Sequence, residues 1–237
     1  MLDPMAHTDT ISTPAGLRVI RIESMPFGEN SYVVHRPPSR ACVVIDPGFE
    51  PAAIIAAIEE ADLEPAAILL THGHADHIAG NGAVRTVWPG LPILIGAGDA
   101  DKLRDPAGNL SRPFGFLVNS PPADRLLTDG ETLDIAGLRF IVEEIPGHSR
   151  GHVVYRTDGD AIPIVFAGDV LFQEGIGRTD FADGDFPALA RGIVTKLYGL
   201  PEETIVFPGH GSQTTVGHER RHNPFVPDPR LGGGGAA

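Results

Sequence analysis

The stretch THGHADHIAG, Thr71 to Gly80, places His72, His74, Asp76 and His77 within six positions. Imidazole and carboxylate groups in this mixture suit zinc, iron or manganese, and no thiolate is needed. His72 and His74 lie two apart at the end of an apolar run, so in extended backbone their side chains point the same way. Asp76 and His77 follow as the chain turns and can face a different centre. The small residues between them let the backbone bend at little steric cost. A solvent-facing histidine loop is the plainer explanation, but the rest of the chain does not fit it. His148 follows EEIPG, Asp169 follows IVFAG, and His210 follows IVFPG. Each of these three strand-like runs delivers one metal-type residue directly after a glycine. Seven such residues suffice for two metals, with Asp169 as the natural bridge because a carboxylate has two oxygens. The pattern predicts a dinuclear centre.

The elements that must position these residues are legible as alternating apolar runs and turn signals. LRVIRIES, NSYVVHR and ACVVIDPG read as strands, the third ended by a Pro-Gly turn. EPAAIIAAIEEADL has helical spacing, and PAAILLTHGH is a short buried strand that runs into the histidine loop. GNGAVRTVWPG reads as a second helix and PILIGAG as a strand, after which Asp99 to Asp124 is an irregular excursion near a pocket. Two hairpins follow, turning at Ala136-Gly137 and at Asp158-Gly159, then a helix over DFPALARGIVTKLYGL and a last strand in ETIVFPGHG. Two strand-rich halves, each followed by helices, predict an α+β fold, an αββα sandwich rather than an alternating doubly wound sheet. We expect one domain over residues 15–226, with flexible termini at 1–14 and 227–237.

Composition narrows the partners. With 31 acidic and 18 basic residues the net charge is −13, a field that repels phosphate backbones and anionic lipid and is compatible with bound cations. Nucleic acid and membranes are therefore not expected as partners. No stretch approaches the roughly 20 apolar residues of a membrane span, and the N-terminus lacks a signal-peptide pattern. Cys42 is the one cysteine, which excludes an intramolecular disulfide and fits a cytoplasmic setting. Nothing in the sequence sets the oligomeric state.

THGHADH, PGHSRGH, GDVLF and PGHG, in that order and spread over nearly the whole chain, resemble the metallo-β-lactamase superfamily. That resemblance implies the αββα fold and a distribution of ligands. His72, His74 and His148 would hold one metal, Asp76, His77 and His210 the second, and Asp169 would bridge. GDVLFQEGIGRTDFADGD and PGHGSQTTVGHERRHNPF are similar to the compact, single-domain glyoxalase II-like, or hydroxyacylglutathione hydrolase-like, enzymes. The larger members of that group carry a C-terminal helical domain that grips glutathione, and this chain ends soon after RRHNPF. Arg178 stands where they place a basic glutathione contact, while Asp180 stands where they place a tyrosine.

The chemistry so implied is hydrolysis with two divalent ions as cofactors, zinc first, iron or manganese as alternatives. A metal-bridging hydroxide would attack a small-molecule thioester or ester of the S-lactoylglutathione kind, with Asp76 orienting the nucleophile. Asp46, in VVIDPG, is a candidate to hold a ligand histidine from behind, as is His152; Arg178 is a candidate substrate contact. The main rival is a mononuclear-iron persulfide dioxygenase, which GRTDF followed by GD also resembles. Those enzymes continue with a His-Asp-Tyr segment where this chain has His210-Gly211-Ser212. Lactonase or β-lactamase activity and a non-catalytic binding module are the weaker alternatives; a binding module would be expected to have lost ligands, and all seven are present.

Overall fold

The structure, a computed structural model, describes residues 7–231; residues 1–6 and 232–237, part of the expected flexible termini, lie outside the described residues. One sheet holds seven strands in sequence order: β1 (His7–Ser12), β2 (Arg18–Ser24), β3 (Glu29–His35), β4 (Ala41–Ile45), β5 (Glu64–Leu70), β6 (Ile93–Gly96) and β7 (Arg125–Leu127). The first four pair antiparallel and β4 to β7 run parallel. The second sheet contains β8 (Thr132–Ile135), β9 (Leu138–Glu144), β10 (Val153–Thr157) and β11 (Ile164–Gly168). After a small ribbon of β12 (Leu171–Phe172) and β13 (Gly175–Ile176), β14 (Ile205–Pro208) and β15 (Thr214–Thr215) complete it, in the order β15-β14-β11-β10-β9-β8.

The period-two side-chain alternation of strands explains why two sheets make three apolar layers. In β4, Val43 and Ile45 face inward, and in β11 Ile164 and Phe166 do, so these residues share one core between the sheets with Tyr155 and Phe207. The intervening Cys42 and Val44 turn outward and pack on Ile54 and Ile58 of α1 (Pro51–Glu60), whose spacing of four sets both on one helical face. On the far side, Val165, Ala167 and Val206 pack against Leu189, Ile193 and Leu197. The result is the expected αββα sandwich. The remaining helices are α2 (Ala75–Ile78), α3 (Asn81–Val87), α4 (Phe186–Gly192) and α5 (Val216–His222).

Two expectations, both about the termini, are corrected, and the expected helix after DFP is present with one irregularity. His7–Ser12, assigned to a flexible terminus, pairs with β2 along its whole length as an edge strand. Past the expected domain end at 226, Asp228 is buried and takes ion pairs from Arg220 (2.7 Å) and Arg230 (2.8 Å), so residues 227–231 are tied down. The helix after DFP is not uniform: beyond Gly192 it widens by one residue, with the Tyr198 amide donating to Ile193 O at 2.9 Å. Among the described residues, no helix is long and apolar enough to cross a membrane.

Candidate metal centre

The chemistry-bearing residues stand at one rim of the sandwich, on the segments that follow strand ends. β4 leads into Asp46, β5 into Thr71, His72 and His74, and α2 carries Asp76 and His77. The loop from β9 to β10 carries His148, β11 runs into Asp169, and β14 runs into His210. The seven residues read from the sequence are brought together in two groups. His72, His74 and His148 form one and Asp76, His77 and His210 another, with ligand atoms inside each group within 4.8 Å of one another. In the first, His74 Nδ1 lies 3.1 Å from His72 Nε2 and 2.9 Å from His148 Nε2. Asp169 stands between them. Its Oδ2 is 3.4 Å from His148 Nε2 and 3.6 Å from His210 Nε2, while its Oδ1 is 3.5 Å from His77 Nε2.

The outer ring nitrogens fix which atoms face inward. Thr71 Oγ1 donates to Asp46 Oδ2 at 2.6 Å and so accepts from His72 Nδ1 at 3.0 Å. His77 Nδ1 donates to Asp46 Oδ2 (3.0 Å), His148 Nδ1 to Arg178 O (2.9 Å) and His210 Nδ1 to Phe27 O (3.2 Å). With these four Nδ1 atoms holding the proton, the Nε2 lone pairs of His72 and His148 face His74 Nδ1, and those of His77 and His210 face the Asp76 and Asp169 carboxylates. Lone pairs facing lone pairs repel unless a cation lies between them. The buried His77 Nε2 and Asp169 Oδ1 accordingly have no hydrogen-bond partner within the protein. This donor set fits divalent metal, with nitrogen separations close to those on a tetrahedral ion.

Electrostatics agree. Burial, with the neighbouring imidazoles, holds His72, His74 and His152 well below the usual histidine pKa, and burial lowers His148 as well. These rings are neutral, as those of His72, His74 and His148 must be to bind a metal. Burial opposes charge on His77 too, but Asp76, Asp169 and Asp46 outweigh it and raise its pKa. Burial also disfavours ionised Asp76, yet His77 and His210 hold it below the usual carboxylate range.

The supporting candidates resolve differently. Asp46 accepts from Thr71 N at 2.7 Å as well as from Thr71 Oγ1 and His77, so a single carboxylate behind the site orients one histidine of each group. Asp46→Asn keeps the shape but offers an amide nitrogen where two donors need an acceptor. Metal affinity is expected to fall about 10- to 100-fold, read by competition with a chromogenic chelator, with the fold retained. His152 accepts the Asp169 amide at 3.0 Å and stacks on His72 with ring centroids 4.7 Å apart, thereby fixing the turn that presents Asp169. Arg178 reaches the cleft wall, but its guanidinium forks onto Asp180 at 2.8 Å on both arms.

Sequence reasoning missed a clamp on the far side. Buried Asp99 accepts from Gly73 N and Gly151 N, both at 2.9 Å, and from the Ser149 hydroxyl, which ties the His72/His74 loop to the His148 loop. Lys102 closes it with bonds to Ser149 (2.7 Å) and Asp183 (2.6 Å). Only the position of Asp99 in the irregular excursion beside the pocket hinted at this. Glu29 was also missed; it is fully buried, 4.0 Å from His77 and bonded to Ser31 at 3.1 Å, and burial raises its pKa.

Gly168 shows how closely these loops meet. Its φ of +47° is the left-handed region, and a Cβ there would lie 2.7 Å from Thr71 Cβ and 2.8 Å from His152 Nε2. Gly168→Ala is expected to cost about 3 kcal/mol in denaturant unfolding, the sum of backbone strain and overpacking. A change below about 0.5 kcal/mol would show that the loop yields freely.

The comparisons with known proteins accord with this geometry. Residues 25–210 match the Metallo-beta-lactamase superfamily. Hydroxyacylglutathione hydrolase GloC of Haemophilus influenzae is 38% identical over 218 residues, covering 87% of this chain and 98% of that protein. The crystal structure of BLEG-1 B3 metallo-beta-lactamase superposes with a TM-score of 0.82 at 42% identity, covering 87% of this chain and 98% of that one. TTHA1623 in a di-iron-bound form gives 0.76 at 37% identity, covering 87% and 99%.

Proposed function

Because this chain belongs to the metallo-β-lactamase superfamily, we propose that it is a dinuclear hydrolase cleaving a small-molecule thioester or ester, glyoxalase II-like in chemistry. The observation that carries the reading is Asp169, whose two oxygens face both groups of inward lone pairs at the floor of a cleft of about 380 Å³. His72, His74 and His148 are the proposed ligands of one ion, Asp76, His77 and His210 of the other, and Asp169 of both. Bound divalent cations supply Lewis acidity that polarises a carbonyl and lowers the pKa of water. Zinc is the first choice and iron or manganese the alternatives; the di-iron form of TTHA1623 keeps iron in view.

The chain's own residues do the positioning. Asp76 lines the cleft and stays ionised beside His77 and His210, so it accepts a hydrogen bond from an attacking water and orients it. Asp46 and His152 keep the ligand set in place. The name of the Haemophilus relative supports thioester hydrolysis as the first assay. The likeness to BLEG-1 B3 metallo-beta-lactamase supports β-lactam opening as a second reading. Burial pushes the Cys42 thiol up to about 12, which leaves it unreactive; the location we propose is cytoplasmic.

The test pairs metal analysis of purified protein with three assays: hydrolysis of S-lactoyl and other acyl thioesters, opening of a chromogenic cephalosporin, and oxygen uptake on glutathione persulfide. Close to two metals per chain with thioester cleavage is the expected result. One iron per chain with oxygen uptake would replace it with a dioxygenase, and cephalosporin opening without thioester cleavage would favour the second reading.

A further inference from the structure

The walls of the cleft are far less polar than its floor. Phe27 forms the hub of one wall, with ring centroids 5.7 Å from Phe114 and 6.0 Å from Phe116, crossed at 76° and 73°. Phe114 and Phe116 stay 55% and 38% exposed despite this contact, and both line the cleft. Phe181 and Phe172 also line the cleft, T-shaped against His74 and His210 with centroids 5.3 and 5.9 Å away. Phe27 and Phe116 also pack, tilted, on Phe49 at 5.7 and 5.6 Å, so the open part of the wall is the exposed surface of Phe114 and Phe116. Aromatic surface left open beside a reactive floor is a site for apolar substrate.

Charge on the walls points the same way. Among the described lysines and arginines, Arg178 alone lines the cleft. Its guanidinium is already shared between Asp180, which it holds at about 2, and the face of Phe181, 4.5 Å away. A glutathione carrier brings two carboxylates and would find that single cation taken, within a chain of net charge −13.

Resting on the thioesterase reading, we infer that the substrate of this site carries an apolar, ring-bearing acyl group against the Phe27/Phe114/Phe116 wall, on a carrier without paired carboxylates. The three rings offer a lactoyl hydroxyl no hydrogen-bond partner, whereas they desolvate a phenyl ring. Phe116 is a specificity-determining residue for this reaction.

The experiment uses metal-loaded protein and four thioesters: phenylacetyl and lactoyl groups, each on N-acetylcysteamine and on glutathione. Each kcat/KM is normalised to the rate of the same compound with hydroxide. Phenylacetyl is expected to exceed lactoyl by about 10- to 100-fold on the neutral carrier, and glutathione to give no advantage. Phe116→Ala should bring that ratio towards one, and Phe116→Leu should restore most of it. A lactoyl preference, a tenfold gain from glutathione, or a ratio that Phe116→Ala leaves unchanged overturns the inference while thioester cleavage stands. Failure to cleave any of the four overturns the thioesterase reading and the inference with it.

Discussion

Asp169→Asn is expected to lower hydrolytic kcat/KM at least about 1,000-fold, while the metal-free protein melts no lower than the unsubstituted metal-free chain. The two halves of this prediction have one cause. Asp169 Oδ1 faces His77 Nε2 at 3.5 Å, and Oδ2 faces His148 and His210 Nε2 at 3.4 and 3.6 Å. Without metal these are largely acceptors confronting acceptors, relieved where His77 or His210 takes up a proton, since the neighbouring carboxylates raise the pKa of both. Asparagine of the same shape places an NH2 donor on one side, and a hydrogen bond replaces the repulsion. With metal the balance reverses, because the residue proposed to serve both ions has lost a charge and an anionic oxygen. Metal analysis of the variant should find less than half the content of the unsubstituted protein. A metal-free variant melting several degrees lower would show that Asp169 is structural in its own right, and full metal content would remove it from the ligand set.

How far the sequence carried this site can be judged residue by residue. His72, His74, Asp76 and His77 declared themselves because ligand types crowd one strand end. His148, Asp169 and His210 did so because each follows an apolar run and a glycine. Both signals are local, and strand ends of one rim converge in space. Gly209 makes the convergence tight, since a Cβ there would meet Asp169 Oδ1 and lie 2.8 Å from His77 Cε1. Asp99, Ser149 and Lys102 gave no such signal. Their bonds link positions 26 to 81 residues apart, and each residue alone is an ordinary polar loop residue. β1 was missed because HTDTIS is an exposed edge strand whose only large apolar residue is Ile11, so the alternation that marks buried strands is absent. The aromatic wall was unread because Phe27, Phe114 and Phe116 sit in irregular segments, where no periodicity assigns a side chain to a face.

Chelation of the purified protein is expected to lower its melting temperature by about 10 °C, and re-addition of zinc to restore it. The size follows from linkage. An ion at about 1,000 times its dissociation constant adds about 4 kcal/mol to the folded state. For a chain of this length, each kcal/mol moves the midpoint by about 2–4 °C. The site makes the coupling strong because the ligands bring separate parts of the fold together: β5, β9, β11 and β14 each end on one. His72, His74 and His148 are buried and already neutral, so metal displaces no proton from them at neutral pH. His77 and His210 differ, because Asp76 and Asp169 raise their pKa against burial, and a proton on either is the nearest substitute for the missing cation. Metal binding therefore competes with protons on these two rings and should release them, which calorimetry in buffers of different ionisation enthalpy will count. An unchanged midpoint on complete metal removal would mean that the Nε2 atoms do not hold metal in the folded chain. A fall that zinc cannot reverse would point to irreversible unfolding of the rim.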